Sequence, residues 1–286
     1  MNKGSSIGLT SRTDLAYALE LTKQSYSYLT SKGALCQVEA ETASKLCLPG
    51  VQLEELSVDA LIAIGGDGTI LRTLKRLANP ETPILGVKVG KICFLGEVEP
   101  EELQLALDKL LRGDYAVEEV MKLRASIAEG KSSDAVNEVV FVTSQPAKVI
   151  QFEVIVGGEE VFRGLADGAI IATPTGSTGY ALSAHGPVID PELEAMLVVL
   201  LNPLNLSSRP LVVPASETLK FKVLAPSPEA LVVVDGEVVG KINVGGEVEV
   251  KKSPVKARFI RFHARKPAFY ERLRKLVEWR ASAKKW

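Results

Sequence analysis

The sequence predicts a fold in two parts, a parallel α/β domain followed by a mostly antiparallel, β-sandwich-like domain. Three observations lead there. Up to Tyr115, strand-like and helix-like segments alternate, which implies a parallel sheet covered on both faces. Beyond Tyr115 the segments are strand-like, several of them alternating apolar and polar residues. Paired turn residues, Gly157-Gly158, Asp235-Gly236 and Gly245-Gly246, supply hairpin chemistry in that second part. A chain of 286 residues is long enough for two cores.

The elements follow in order. SIGLTS (6–11) is a short strand, and Leu15, Ala18, Leu19, Thr22 and Tyr26 then recur at helical spacing. GALCQVEA (33–40) reads as the next strand. DALIAIG (59–65) is a third, buried on both faces because it does not alternate. Leu71, Leu74, Leu77 and Ala78 mark a helix, and TPILGVKV (82–89) a strand. EPEELQLALDKLLRG (99–113) is a helix with proline near its start, acids in its first turn and glycine at its end. In the second part the strands lie in ASIAEG, AVNEVVFVTS, KVIQFEVIVGGEEVFRG, GAIIATP, TLKFKVLA, ALVVVDGEVVGKINVGGEVEVKK and KARFIRFH. PAFYERLRKLVEWRAS (267–282) returns to helix, with Phe269, Leu273, Leu276 and Val277 on one side.

Composition narrows the class. An apolar fraction of 46% with 24% charged residues suits a globular chain and excludes wholesale disorder. A net charge of −1 lacks the basic excess of a dedicated nucleic-acid binder. From Lys251 onward, however, basic residues far outnumber Glu271 and Glu278, so this stretch is either a solvated basic face or a polyanion contact. Cys36, Cys47 and Cys93 show no CxxC spacing. With only His185 and His263 beside them a zinc cage is improbable, and reduced thiols in a cytoplasmic protein are expected. No secretory h-region opens the chain, and its longest apolar run, AMLVVLL (195–201), is far short of a membrane span.

Three stretches carry chemistry. In LIAIGGDGTILR (61–72) a buried strand ends in a glycine turn that opens a helix, which is an anion site: outward N–H groups at a positive helix terminus. Gly65, Gly66 and Gly68 let the backbone approach a phosphate, and Arg72 lies one turn further on. Asp67 would repel a phosphate, and makes sense as a base taking a proton from an attacking hydroxyl; the alternative is a helix-capping aspartate. ATPTGSTGYALSAHGP (172–187) is a polar, glycine-rich run able to wrap a polar ligand, with Tyr180 offering a face to a flat ring; an ordinary polar loop is the alternative. VNEVV (136–140) sets Asn137 and Glu138 inside an apolar strand, where buried polar groups need partners such as a ligand; a turn or strand edge is the alternative.

Together these stretches resemble the NAD kinase family: GGDGT at 65–69, NE at 137–138, and DGAIIATPTGSTGYALSAHGP from Asp167, with SSRPLVVP (207–214) and VDGE (234–237) in family order. The similarity covers roughly residues 55–270. It implies an N-terminal Rossmann-like, three-layer α/β domain over 1–115 that carries the phosphate donor and catalysis, with 264–286 packing back on it. It also implies a β-rich NAD-binding domain over 116–263. The implied reaction is phosphorylation of the 2′-hydroxyl of the adenosine ribose of NAD, with ATP or polyphosphate as donor and Mg²⁺ or another divalent cation.

In that reading Asp67 is the base, while Gly65, Gly66, Gly68 and Thr69 line the transferred phosphate and the pyrophosphate, with Arg72 beside them. Asn137 and Glu138 hold ribose hydroxyls, Asp167 meets the nicotinamide end, and Thr178, Gly179, Tyr180 and Ser183 belong to the adenine pocket. No metal ligand is identified, Asp235 being a weak candidate. Family members are often dimers or tetramers, so a homodimer or homotetramer is expected, with small-molecule substrates and neither nucleic acid nor membrane as partner. The sequence departs from the family pattern at Lys88 (usually asparagine), Cys93 (glycine), Gly179 (alanine) and His185 (glycine). Two other readings stay open: a lipid kinase sharing GGDGT, which leaves NE and TPTGST unexplained, and a non-catalytic dinucleotide-binding regulator, which gains nothing from Asp67.

Overall fold

The computed structural model describes residues 5–90, 93–127, 130–262, 269–275 and 278. It divides into one unit of Met1–Glu119 with Ala257–Trp286, and a second of Val120–Lys256.

The first unit runs β1 (Ser6–Ser11), α1 (Ala16–Ser31), β2 (Leu35–Glu39), α2 (Ala40–Leu46), β3 (Gly50–Val51), β4 (Ala60–Gly65), α3 (Asp67–Arg76), β5 (Ile84–Lys88), α4 (Leu103–Arg112) and β6 (Ala116–Val120). Ile7, Leu9, Ile62, Ile64, Leu85 and Val87 form the core under α1 and α4. Alternation sends Gly86 to the opposite face. A Cβ there would lie 2.7 Å from Ile70 of α3, so α3 packs closely on that side. The buried stripe of α1 is Ala18, Leu21, Thr22, Ser25 and Leu29, whereas Leu15, Leu19 and Tyr26 are only half-buried. The stripe admits small polar residues because Thr22 and Ser25 donate their hydroxyls to the carbonyls of Ala18 and Leu21. The short α2 has no counterpart among the sequence expectations; Glu39 caps it, accepting from the N–H groups of Glu41 and Thr42 at 3.0 Å each.

The second unit runs β7 (Leu123–Ser126), β8 (Ser132–Ala135), β9 (Glu138–Thr143), β10 (Ile150–Val156), β11 (Glu159–Ala166), β12 (Gly168–Ala172), α5 (Tyr180–Ser183), β13 (Ala195–Leu201), β14 (Leu211–Pro214), β15 (Leu219–Val223), β16 (Ala230–Val234), β17 (Glu237–Ile242) and β18 (Glu247–Lys252). Two six-stranded sheets result, ordered β11-β10-β15-β18-β7-β8 and β14-β13-β12-β9-β16-β17. Their inner faces share one core, in which Phe141 stacks on Phe221 at 4.2 Å and Phe221 on Phe152 at 4.6 Å. Gly157 (φ 58°) and Gly158 (φ 95°) turn the β10–β11 hairpin, and Asp235 (φ 46°) and Gly236 (φ 85°) the β16–β17 hairpin.

One strand changes sides. KARFIRFH was expected among the strands of the β-rich half, which was to run to residue 263. Its strand, β19 (Ala257–Arg261), instead inserts between β5 and β6, giving a first sheet ordered β3-β2-β1-β4-β5-β19-β6. The cause lies in its side chains: Phe259 and Ile260 are fully buried, and Arg261 pairs with Glu97 and Glu118 of the first unit. Among the described residues of the basic stretch, Lys252 pairs with Glu194, Arg258 with Glu81 and Glu119, Lys275 with Glu271, and Arg274 with Glu278. In the last stretch Phe269–Lys275 is helical and Phe269 is buried against Phe94; His263, Leu276 and Val277 lie outside the described residues.

A Cβ at Gly168 would stand 1.8 Å from the carbonyl oxygen of Phe141, so an alanine there must push β9 and β12 apart. Gly168→Ala is expected to lose about 3 kcal/mol of stability, read as a lowered denaturation midpoint in urea.

Candidate active site

In the first unit the strand order places β1 beside β4, while their connections run outward to β2 and to β5 respectively. The loops after β1 and β4 therefore diverge and leave a crevice at the carboxyl ends of these two strands. It measures about 340 Å³ and is lined by Arg12, Thr13, Asp14, Gly66, Gly68, Thr69 and Arg72. Arg12, Thr13 and Asp14 were not expected. The signal was available, since a polar turn after the first strand faces the glycine turn whenever those strands are neighbours.

Each lining group is held. The Arg12 guanidinium grips Asp14 through two hydrogen bonds of 2.8 and 2.9 Å. Arg72 pairs with Glu41 at 3.1 Å, and Thr13 donates its hydroxyl to the same carboxylate. Gly65 is demanded by packing, because a Cβ would meet Thr69 Oγ1 at 2.4 Å. Gly66 and Gly68 are not: a Cβ at either would meet nothing within 4 Å. The space before them is open, and α3 starts there with no side-chain cap.

Asp67, the first residue of α3, turns away from that opening. Its Oδ1 accepts from the Leu95 N–H at 2.8 Å and from the Cys93 thiol at 3.2 Å, and its Oδ2 from the Phe94 N–H at 3.0 Å. Burial, and Asp67 beside it, push the Cys93 thiol well above the usual cysteine range. The segment is braced from behind. Arg261, 8% exposed, donates to the Leu95 carbonyl at 3.0 Å, and Glu97 accepts from the Phe262 N–H at 2.9 Å. Lys88 pairs with Glu99 at 2.8 Å, which shapes the same segment.

In the second unit Asn137 and Glu138 do not sit inside one continuous strand. Val136 and Asn137 form a bend between β8 and β9, and Glu138 opens β9. The break is made by Asp235, whose carboxylate accepts from the N–H groups of Val136, Asn137 and Glu138 at 2.7, 2.8 and 3.0 Å. The TPTGST run docks on this bend. The Thr173 N–H donates to the Asn137 carbonyl at 2.8 Å, and a Cβ at Gly176 would stand 2.0 Å from that oxygen. A Cβ at Gly179 would lie 3.3 Å from Glu138 Oε2 and 3.8 Å from Asn137 Nδ2, so Asn137, Glu138 and Gly179 converge. Glu138 Oε2 is buried with no hydrogen-bond partner among the described residues. Burial, and then the nearby Asp235, push its carboxyl up to about 8.

Tyr180 and Ser183 line a separate cavity of about 490 Å³ with His185, Val199–Pro203 and Ser208–Pro210. His185 is exposed there, with φ 64°. Asp167 reaches this group through Asn202, whose amide donates to it at 2.8 Å. Thr178 is turned inward, its hydroxyl donating to the Thr175 carbonyl at 2.9 Å.

Comparison with known proteins decides the family. The family model "ATP-NAD kinase N-terminal domain" matches residues 10–115, and "ATP-NAD kinase C-terminal domain" matches 136–262. The chain belongs to the NAD kinase family. The chain is 43% identical to an NAD kinase of Thermococcus gammatolerans over 94% of this chain and 98% of that one. It is 41% identical to one of Methanothermobacter thermautotrophicus over 95% and 96% respectively. Among solved structures, an NAD kinase from Archaeoglobus fulgidus in complex with ATP superposes with a TM-score of 0.78 at 29% identity, covering 95% of this chain and 98% of that one. A yeast NADH kinase complexed with NADH shares the fold, with a TM-score of 0.87 at 21% identity over 97% and 88%. As a member of the NAD kinase family the chain is a phosphotransferase. No described helix is long and apolar enough to cross a membrane.

The raised carboxyl of Glu138 gives a test of this environment. The folded state holds its proton above the ordinary 4.5, so folding stability falls as pH rises from there to about 8. Glu138→Gln removes that loss. In thermal melts it is expected to gain on the wild type at pH 8.5 and show no such gain at pH 4.

Proposed function

We propose that the protein transfers a phosphoryl group from ATP or polyphosphate to the 2′-hydroxyl of the adenosine ribose of NAD, forming NADP. The observation that carries this reading is the state of Asp67. A carboxylate offers about four lone-pair sites. Among the described residues three are filled, by Cys93, Phe94 and Leu95, which leaves one on Oδ2 for the proton of an attacking hydroxyl. A capping aspartate would instead bond to the N–H groups of its own helix, whereas the bonds of Asp67 go to Cys93, Phe94 and Leu95.

Beside Asp67, the crevice of Gly66, Gly68, Thr69, Arg12 and Arg72 suits a polyphosphate tail: the positive end of a helix and two guanidiniums already oriented by carboxylates. Glycines that the packing does not require keep the wall open to phosphate. Asn137 and the protonated carboxyl of Glu138 offer donors and acceptors to ribose hydroxyls, with Gly179 leaving them room. Tyr180, Ser183 and Asp167 belong to the grip on the dinucleotide, and Thr178 supports it from within. A lipid kinase has no use for the Asn137–Glu138 pair, of which Glu138 is buried.

Among the described residues no group of three or more His, Cys, Asp or Glu side chains could hold a metal ion. Asp235, spent on three N–H groups, is not proposed as a ligand. Mg²⁺ therefore enters on the donor phosphates, whose charge it neutralises, and no residue is assigned to it. A cytoplasmic homodimer or homotetramer completes the reading; β14, with Leu211 and Val212 exposed at the edge of its sheet, is the candidate contact.

NADP formation from NAD, Mg²⁺ and either ATP or polyphosphate is the direct assay. Asp67→Asn is expected to keep NAD binding and lose ~10²–10⁴-fold in turnover, and a rate near wild type would overturn the base. Arg12→Ala and Arg72→Ala are expected to raise the KM for the donor about tenfold while leaving that for NAD, as loss of one charge-assisted phosphate contact each.

A further inference from the structure

Resting on that reading of Asp67, we propose that Cys93 is a positioning residue that sets the basicity of the catalytic carboxylate. Asp67 sits in a cradle of three donors. Two are backbone N–H groups, present whatever side chains Phe94 and Leu95 carry; the third, the Cys93 thiol, is the one donor there that a side-chain change can remove.

The thiol is placed for the task. Cys93 is 8% exposed, and a Cβ on Gly96 would approach its Sγ to 2.8 Å, so the side chain is packed into one position. Its proton stays on across the working range, because burial and the neighbouring carboxylate both oppose ionisation. It is therefore a permanent donor to Oδ1, the oxygen that also takes the Leu95 N–H.

Among the described residues the charged groups around this cradle are Arg12 after β1, Lys88 at the end of β5, Arg261 of β19 with Glu118, Arg272 in the last helical stretch, and Glu97. They are themselves matched, Arg12 with Asp14, Lys88 with Glu99, and Arg272 with Glu97 at 3.9 Å. These pairs are left in place by every Cys93 variant, so a change in the acid limb of the rate reports on Asp67 and its three donors.

A donor to a carboxylate favours its ionised form. Removing the S–H makes Asp67 harder to deprotonate, so the base is lost at a higher pH. The experiment is kcat and KM against pH for the wild type, Cys93→Ser, Cys93→Ala and Cys93→Val, with Asp67→Asn alongside. Alanine and valine are expected to raise the acid limb of kcat by about half a unit with the KM for NAD within about twofold. Serine, which keeps a donor, is expected to hold the limb at or below the wild-type position. Should Cys93→Ala not fold, valine fills the space and carries the same test.

A role in packing alone would impair serine and alanine alike and leave the limb unmoved, or change KM instead of kcat. Either result overturns the proposal. Loss of turnover in Asp67→Asn with an unmoved limb in the Cys93 variants would remove the role of Cys93 alone. Turnover retained in Asp67→Asn would remove the base itself.

Discussion

The first unit depends on one junction, the carboxylate of Asp67 against the segment Cys93–Leu95. Gly65 brings β4 so near the first turn of α3 that Thr69 fills the place of its missing Cβ. This fixes where α3 starts and therefore where Asp67 points. The carboxylate then lies at the positive end of its helix, and three donors from the segment after β5 meet it. The start of α3 and a segment without regular structure of its own, Cys93–Leu95, thereby fix each other. Rigidity is what general-base catalysis requires, since a carboxylate free to rotate would spend little time aimed at a hydroxyl.

The second unit solves the opposite problem. Its carboxylate of interest, Glu138, is kept short of partners, while the backbone around it is over-determined. Asp235 collects three N–H groups from Val136 to Glu138, and Thr173 ties the following strand to Val136 and Asn137. The bend between β8 and β9 thus costs no unsatisfied amide. The side chains it displays remain available to a ligand, and Glu138 Oε2 is the clearest case. Fixed backbone and an unfilled polar atom are what a pre-formed binding site needs.

Much of this was legible in the sequence, for identifiable reasons. The buried strand DALIAIG and the helix ending at Gly113 carry strong local signals, an unbroken apolar run and a left-handed glycine with φ 74°. The glycine turn at 65–68 and the hairpins at 157–158 and 235–236 are set by backbone chemistry that few residues satisfy. What escaped was long-range. Nothing local in KARFIRFH says which sheet it joins, since a strand's partner is chosen by the glutamates it meets, Glu97 and Glu118. Arg12 and Asp14 become legible only once β1 is known to lie beside β4. A turn at Asn137 was one of two open readings, undecided because its cause, Asp235, is about a hundred residues away.

The insertion of β19 carries the argument one step further. The segment that holds Asp67 is held in turn by Arg261, through the Leu95 carbonyl, and by Glu97, which bonds the Phe262 N–H. Both contacts come from the strand that enters the first sheet last. Arg261 thereby fixes the carbonyl of the residue whose own N–H reaches Asp67 Oδ1. Without β19 the proposed base would lack this support. The chain returns to its first half with an arginine, not merely an apolar strand, because that position serves the carboxylate two layers of contact away.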